Sequence, residues 1–361
     1  MKIERLEVET VRVNERETWA FVLLHTDKGI AGLGELNPSA PRQACVDALR
    51  RMGEFLVGKD PRRVRALYDE LNTGSPDLVG VRALSAVEQC LWDILGKSLD
   101  APVHALLGGK CRDGIGLYAN ITRATPELTP EAFAASARGA VADGFTAVKV
   151  APFGGTYPIE SLAGLEQGIE CVRRVRQAVG PDVDVMLDCY GLFSSEAALA
   201  LVEALGEVDL FWFEEPVADD DWDGYHRVRR ESGLRLAGGE RYEFGSGFWE
   251  ALERRIFQVA MPDVGIVGGI GALHEVSLMA ASREIRVAPH GPFGPVTLAA
   301  SAQVMAAHAC FLTMEFPWGL NGWRQDLVAP AERVGGSQYR LPDGPGLGVA
   351  LNPEILAVHR V

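Results

Sequence analysis

No run of the 361-residue chain is apolar and long enough to cross a bilayer, and its first residues lack the basic-then-apolar order of a secretory leader. The opening "MKIERLEVETVRV" alternates like a β-strand instead. A soluble, cytoplasmic protein with no membrane partner is the expectation. Basic charge is scarce as well: 35 Lys and Arg stand against 49 Asp and Glu, a net charge of −14. Nucleic acid is not an expected partner, because phosphate binding needs clustered cations. The same excess repels an anionic ligand at long range, so any such ligand needs a local cation. Paired cysteines are also missing. Cys45, Cys90, Cys111, Cys171, Cys189 and Cys310 lie far apart with no C-x-x-C pair, which favours free thiols in a reducing compartment over disulfides or a zinc site.

What the chain has in quantity is apolar residues, 47% of the total, enough for a sizeable core. Residues 1–110 read as α+β. "IERLEVETVRV" and "TWAFVLLHT" are strand-like, with a "DKG" turn leading into "IAGLGEL". Three helical runs follow, "PRQACVDALRRMGEFLVG", "PRRVRALYDELN" and "RALSAVEQCLWDILGKSL", with "NTGSPDLVG" (72–80) as a loop before the last. From about residue 115 eight strand-like runs, "GLYANI" to "FLTMEFP", alternate with seven helical ones. Strict β-α alternation implies parallel strands, and eight of them suggest a closed barrel. No eighth helix follows, and "SQYRLPDGPGLGVAL" reads as strands around a Pro-Asp-Gly turn that return to the first domain.

In such a barrel chemistry sits where strands end. Asp188, Glu214, Glu240, Asp263 and His290 end successive strands at intervals of 26, 26, 23 and 27 residues, about one βα unit each. Any one of them alone would read as a solvated loop residue; the series places all five around one mouth. Asp188, Glu214 and Glu240 make an all-oxygen set suited to Mg²⁺. In "FWFEEP" alternation sends Glu214 and Glu215 to opposite sides, so Glu214 faces the axis and Glu215 forms a salt bridge behind the strand. Asp263 beside His290 can hold one imidazole nitrogen and leave the other to take a proton. The other six histidines read as surface or core residues. Lys149, inside the apolar "FTAVKVAPF", either faces a carboxylate substrate or pairs with a barrel acid, and Glu315 in "LTMEFP" joins the same ring. Tyr190 shares strand parity with Asp188, which leaves packing and function both open to it. "VGGIGA" (267–272) lacks phosphate-loop spacing and reads as a tight βα turn.

The series "LDCYG…FEEP…AGGE…MPD…APH…MEF", with "LWDILGKSLDAPVHALLGG" before it, resembles the enolase superfamily, mandelate racemase subgroup, over nearly the whole chain. The resemblance implies a modified TIM (β/α)7β barrel capped by an α+β domain formed by the N-terminal segment and the C-terminal tail. The expected boundaries are 1–114 for the cap, 115–325 for the barrel and 326–361 for the returning tail. It implies Mg²⁺-assisted removal of a proton α to a carboxylate, with Asp188, Glu214 and Glu240 as metal ligands. His290 with Asp263 would be the base dyad, and Lys149 and Glu315 would contact the substrate carboxylate. "APHGPFGPVTLAAS" is most similar to galactonate-type sugar-acid dehydratases, lyases of carbohydrate-acid catabolism. Two positions depart from the pattern. Ala151 stands where racemases of the subgroup carry a second lysine, and Tyr190 where galactonate dehydratases carry an acid histidine. The expected reaction is dehydration of an aldonic or aldaric acid to a 2-keto-3-deoxy acid. The rivals are an epimerase, racemase or cycloisomerase, and a non-catalytic acid-sugar binding protein. The expected partners are a small carboxylate substrate and further copies of the chain.

Overall fold

The computed structural model describes residues 1–15, 17–73, 77–155, 157–243 and 245–361. Strands β1 (Ile3–Arg12), β2 (Thr18–Thr26) and β3 (Ala31–Leu36) form an antiparallel sheet in that order. The turn between β2 and β3 needs a left-handed residue and has Gly29 at φ 72°. Helices α1 (Arg42–Leu56), α2 (Val64–Leu71) and α3 (Leu78–Ser98) follow. α3 lies almost on the backbone of β3. A Cβ at Gly32 would stand 2.2 Å from the Cys90 carbonyl oxygen, and one at Gly34 2.1 Å from that of Ala86. The spacing in "AGLGEL" is therefore a packing requirement. α3 starts earlier than its apolar pattern suggests, because Asp77 Oδ1 accepts the Gly80 N–H at 2.9 Å and caps it. Leu78–Gly80 of the expected 72–80 loop are thus helical, and residues 74–76 lie outside the described residues.

After the short α4 (Val103–Leu106) the alternating part begins. It runs β4 (Gly114–Asn120), α5 (Pro130–Ala142), β5 (Ala147–Val150), α6 (Glu166–Val179), β6 (Asp184–Asp188), α7 (Ser195–Ala204), β7 (Leu210–Glu214) and α8 (Trp222–Ser232). It continues with β8 (Leu236–Gly238), α9 (Ser246–Arg254), β9 (Val259–Ala260), α10 (Ile270–Ser282), β10 (Arg286–Val287), α11 (Pro295–Ala306) and β11 (Met314–Pro317). All eight expected strands and seven helices are present. β4 to β10 pair in parallel in sequence order, and β11 pairs with β4. A parallel bridge, Val287↔Phe311, joins β10 to the residues before β11, so the neighbours run in a ring. Local signals set the helix ends. In α8, Asp221 caps the start, Arg229 and Arg230 sit in the last turn, and Gly233 closes the end in the left-handed conformation.

Two apolar layers follow from strand alternation. One, from Val148 to Val185 and Phe213, packs against the surrounding helices. The other fills the ring with Tyr118, Ala147, Met186, Trp212, Ala237, Val259, Met261 and Ala288, large residues interleaved with small ones.

The tail forms β12 (Val328–Ala329), β13 (Val334–Gly335), β14 (Gln338–Arg340), β15 (Ala350–Leu351) and α12 (Pro353–His359). β14 and β15 flank the Pro-Asp-Gly segment without pairing with each other: β14 adds to β4 of the barrel, and β15 pairs with β12. Contact with the N-terminal sheet comes at the end of the chain, through the antiparallel bridge Val11↔Arg360 and the ion pair of Arg360 with Glu9.

Candidate metal centre and active site

Strand residues two apart share a face. Two residues beyond Tyr118, Ala147, Met186 and Trp212 of the ring's interior stand Asn120, Lys149, Asp188 and Glu214, all buried. Asn120 is in register with Lys149, and Asp188 with Glu214. Glu240, Asp263 and His290 are not on strands. They lie two, three and three residues past β8, β9 and β10, in the βα loops.

The eight residues singled out from the sequence converge. Carboxylate oxygens of Asp188, Glu214 and Glu240 lie within 4.8 Å of one another. Lys149 Nζ stands 2.6 Å from Glu214 Oε1, 2.9 Å from Glu315 Oε1 and 3.6 Å from Asp188 Oδ2. His290 Nδ1 is 2.7 Å from Asp263 Oδ2, and its Nε2 faces Glu240 at 3.4 Å and Glu315 at 3.7 Å. Lys149, Asp188, Glu240 and His290 border a cavity of about 520 Å³, whose other wall includes Ser39, Leu78 and Arg82 of the N-terminal part. A larger void of about 890 Å³ adjoins it, sharing Ser39, Arg123 and Phe293, but touches none of the three acids.

Supporting contacts fix the geometry. Asp263 accepts the Gly265 N–H on Oδ1 at 2.7 Å and the Asn37 amide on Oδ2 at 3.0 Å, so one oxygen serves both Asn37 and His290. Glu315 accepts from Asn120 at 2.7 Å and from the Gly291 N–H at 3.2 Å. Trp212 Nε1 donates to Glu214 Oε2 at 2.9 Å. Glu215, buried on the other side of β7, is paired with Arg241 at 2.7 Å.

Burial dominates the electrostatics. It pushes Asp188 up to about 6 and Glu214 well above the carboxylate range, although Lys149 opposes both shifts. Burial would raise Glu315 too, yet Lys149 and His290 hold it down at about 2. Burial disfavours the charged forms of Lys149 and His290. The Glu214 and Glu315 carboxylates nonetheless push Lys149 well up, and Glu240, Glu315 and Asp263 push His290 up to about 10. The cluster thus gathers more negative charge than its own side chains balance. A hard cation with oxygen ligands fits this donor set.

Tyr190 is reached by a different route from the expected one. β6 ends at Asp188, so strand parity does not extend to Tyr190, which turns the chain at φ 53°. Its N–H donates to Asp188 Oδ1 at 3.0 Å, and its side chain, 39% exposed, still borders the cavity. Lys149 pairs with barrel acids, the second of its two readings, and also borders the cavity. The glycine run 267–272 is a tight turn into α10. The six other histidines lie away from the cavity: His25 meets Glu7, His104 meets Gln303, His274 meets His308, His359 stacks on Trp323, and His226 sits on α8. All six cysteines are free. Sequence reasoning missed Asn37, Asn120, Trp212, Arg82 and Arg241. Asn120 ends a barrel strand and Trp212 shares parity with Glu214, so the same rules would have found those two. Asn37 and Arg82 carry no local signal.

Comparison with known proteins agrees with this geometry. Residues 132–355 match the enolase C-terminal domain-like family, and residues 6–108 match the N-terminal domain of mandelate racemase / muconate lactonizing enzyme. A D-gluconate dehydratase of Thermoproteus tenax is 31% identical, over 98% of this chain and 73% of its own. A D-galactarolactone cycloisomerase of Agrobacterium fabrum is also 31% identical, over 96% of this chain and 92% of its own. The crystal structure of a mandelate racemase/muconate lactonizing enzyme from Jannaschia sp. CCS1 superposes with a TM-score of 0.91 at 29% identity, over 100% of this chain and 98% of that one. With both of its family domains matched in order around one buried acid triad, the chain belongs to the mandelate racemase/muconate lactonizing enzyme family of the enolase superfamily.

Proposed function

We propose that the protein is a Mg²⁺-dependent lyase that removes water from a sugar acid, aldonic or aldaric, to give a 2-keto-3-deoxy acid. One observation carries the reading: a His290–Asp263 dyad whose imidazole borders the same cavity as Asp188 and Glu240 of the acid triad. Asp188, Glu214 and Glu240 would hold the cation, which supplies a Lewis acid against the charge that builds on the substrate carboxylate. Mg²⁺ suits three carboxylates that leave positions for water or substrate. Lys149 orients that carboxylate, and Glu315, held ionised between Lys149 and His290, keeps both of those side chains in place. Asp263 holds the Nδ1 proton of His290; a cation on Glu240 would offset one of the charges that raise the imidazole, leaving Nε2 to take the C2 proton. The C3 hydroxide then leaves with a proton, for which Tyr190, at the mouth of the cavity, is the candidate donor. The resulting enol becomes the keto acid. In this reading residues 1–114 cap the site, 115–325 form the catalytic barrel, and 326–361 close against both.

A second reading, isomerisation or cycloisomerisation, is favoured by the cycloisomerase relative. It needs proton delivery to a second position, and Ala151 offers no base there. The deciding experiment screens aldonic and aldaric acids for 2-keto acid with and without EDTA. Keto acid that disappears with EDTA and returns with Mg²⁺ is the expected result. An accumulating C2 epimer without keto acid would replace the lyase by an isomerase, and full activity in metal-free buffer would remove the cation.

A further inference from the structure

Four cationic side chains other than His290 border the active-site cavity, and three of them hydrogen-bond carboxylates of the protein. Lys149 meets Glu214 and Glu315, Arg123 meets Glu17, and Arg241 meets Glu215 and Asp219. Arg82 differs. It projects from α3 of the N-terminal part and is 3% exposed. Its Nε donates to Ser39 Oγ at 3.3 Å, while its Nη1 has no hydrogen-bond partner among the described residues. The nearest carboxylate, on the partly exposed Glu243, is 3.7 Å from that nitrogen, beyond hydrogen-bonding range.

A buried guanidinium N–H without an acceptor is destabilising unless a ligand brings one. Arg82 stands on the wall of the cavity formed by the N-terminal part, while Lys149 and the triad belong to the barrel wall. A chain of net charge −14 needs a local cation to hold a second anionic group. A hydroxyl would satisfy one N–H alone; a carboxylate matches the planar fork and adds to the longer, 3.7 Å pairing that Glu243 gives the buried charge. We infer that Arg82 recognises a second carboxylate, at the end of the substrate remote from the acid triad. The substrate is then a dicarboxylic sugar acid, an aldarate. This inference rests on the sugar-acid reading above and narrows its substrate class.

The test is calorimetric binding of six-carbon aldarates and the matching aldonates, in Mg²⁺, to the wild type, Arg82→Met and Arg82→Lys, each checked for folding by circular dichroism. At least one aldarate is expected to bind the wild type tenfold or more tighter than its aldonate. Arg82→Met should cut that ratio by about ten- to a hundredfold, the worth of a charge-assisted hydrogen bond, and Arg82→Lys should keep part of it. No aldarate preference in the wild type, or an unchanged ratio in Arg82→Met, overturns the inference. The wild-type comparison decides even if the methionine variant does not fold. Dehydration of aldonates with aldarates ignored would sink this inference and spare the lyase reading. Aldarate binding through Arg82 with no keto acid from any substrate would do the reverse.

Discussion

Lys149 bridges acids from β7 and β11, and His290 turns one nitrogen to Asp263 and the other toward Glu240 and Glu315, so each site residue is defined by its neighbours. The proposed base can be separated from its support on this ground. His290→Asn should lower both turnover and C2–H/D exchange by roughly two to four orders of magnitude, the usual worth of a general base, with the fold intact. Asp263→Asn should cost less, since Nε2 remains and only its orientation and basicity change. Exchange in D₂O followed by NMR checks both, and an unchanged rate in His290→Asn would move the base elsewhere. Tyr190 acts later in the proposed sequence. Tyr190→Phe should therefore slow keto-acid formation more than exchange, and equal losses would remove it from the departure of the hydroxide.

The βα unit, repeated seven times, made the barrel and most of the candidate site legible in the sequence. An acid at the end of β6 and of β7, and others one unit further on, mark one rim by spacing alone. Contacts between distant elements left no such trace. Asn37 reaches Asp263 across 226 residues, and Glu35 reaches Gly294 across 259, with no local pattern tying either pair. Tyr190 misled for a related reason: parity holds only while the strand lasts, and the chain leaves β6 two residues earlier. The junction of α10 with the residues after α11 shows another non-local contact, with a measurable consequence. His274 Nδ1 and His308 Nε2 are 2.8 Å apart, so one nitrogen donates and the other accepts. Burial, with His274 and Arg112 nearby, lowers His308 to about 4, and burial also lowers His274. A histidine depressed in the folded state adds stability above its unfolded value near 6.5, and this is lost as pH falls towards 4. Wild type should lose up to about 3 kcal/mol more than His308→Gln between those pH values, by linkage. Urea unfolding at several pH values measures the difference; parallel pH curves would assign the acid sensitivity to other groups.

At the scale of the molecule, the N-terminal part holds the two barrel loops that carry the proposed dyad. Glu35, at the end of β3, accepts the N–H groups of Gly294, Val296 and Thr297 at 2.7, 3.1 and 2.9 Å, capping α11 just after the His290 loop. Glu88, on α3, accepts those of Ile270 and Gly271 at 2.6 and 2.8 Å, capping α10 just after the Asp263 loop. Each carboxylate meets the positive end of a helix dipole and satisfies donors that the helix itself leaves unpaired. The fit explains two glycines: a Cβ at Gly294 would stand 2.3 Å from Glu35 Oε1, and one at Gly269 2.1 Å from Glu88 Oε2. Cap and barrel should therefore unfold together. Glu35→Ala and Glu88→Ala each leave buried N–H groups without acceptors and should cost about 2–4 kcal/mol, while the Gln variants, which keep an acceptor oxygen, should cost less. Tryptophan fluorescence and far-UV circular dichroism should report one coincident transition at a lower midpoint in both Ala variants. Turnover should fall as well, because the loops bearing Asp263 and His290 lose their anchors. An Ala variant with a wild-type midpoint would deny the caps any structural role. Two separated transitions would show that the N-terminal part folds apart from the barrel, and the loops would then need another support.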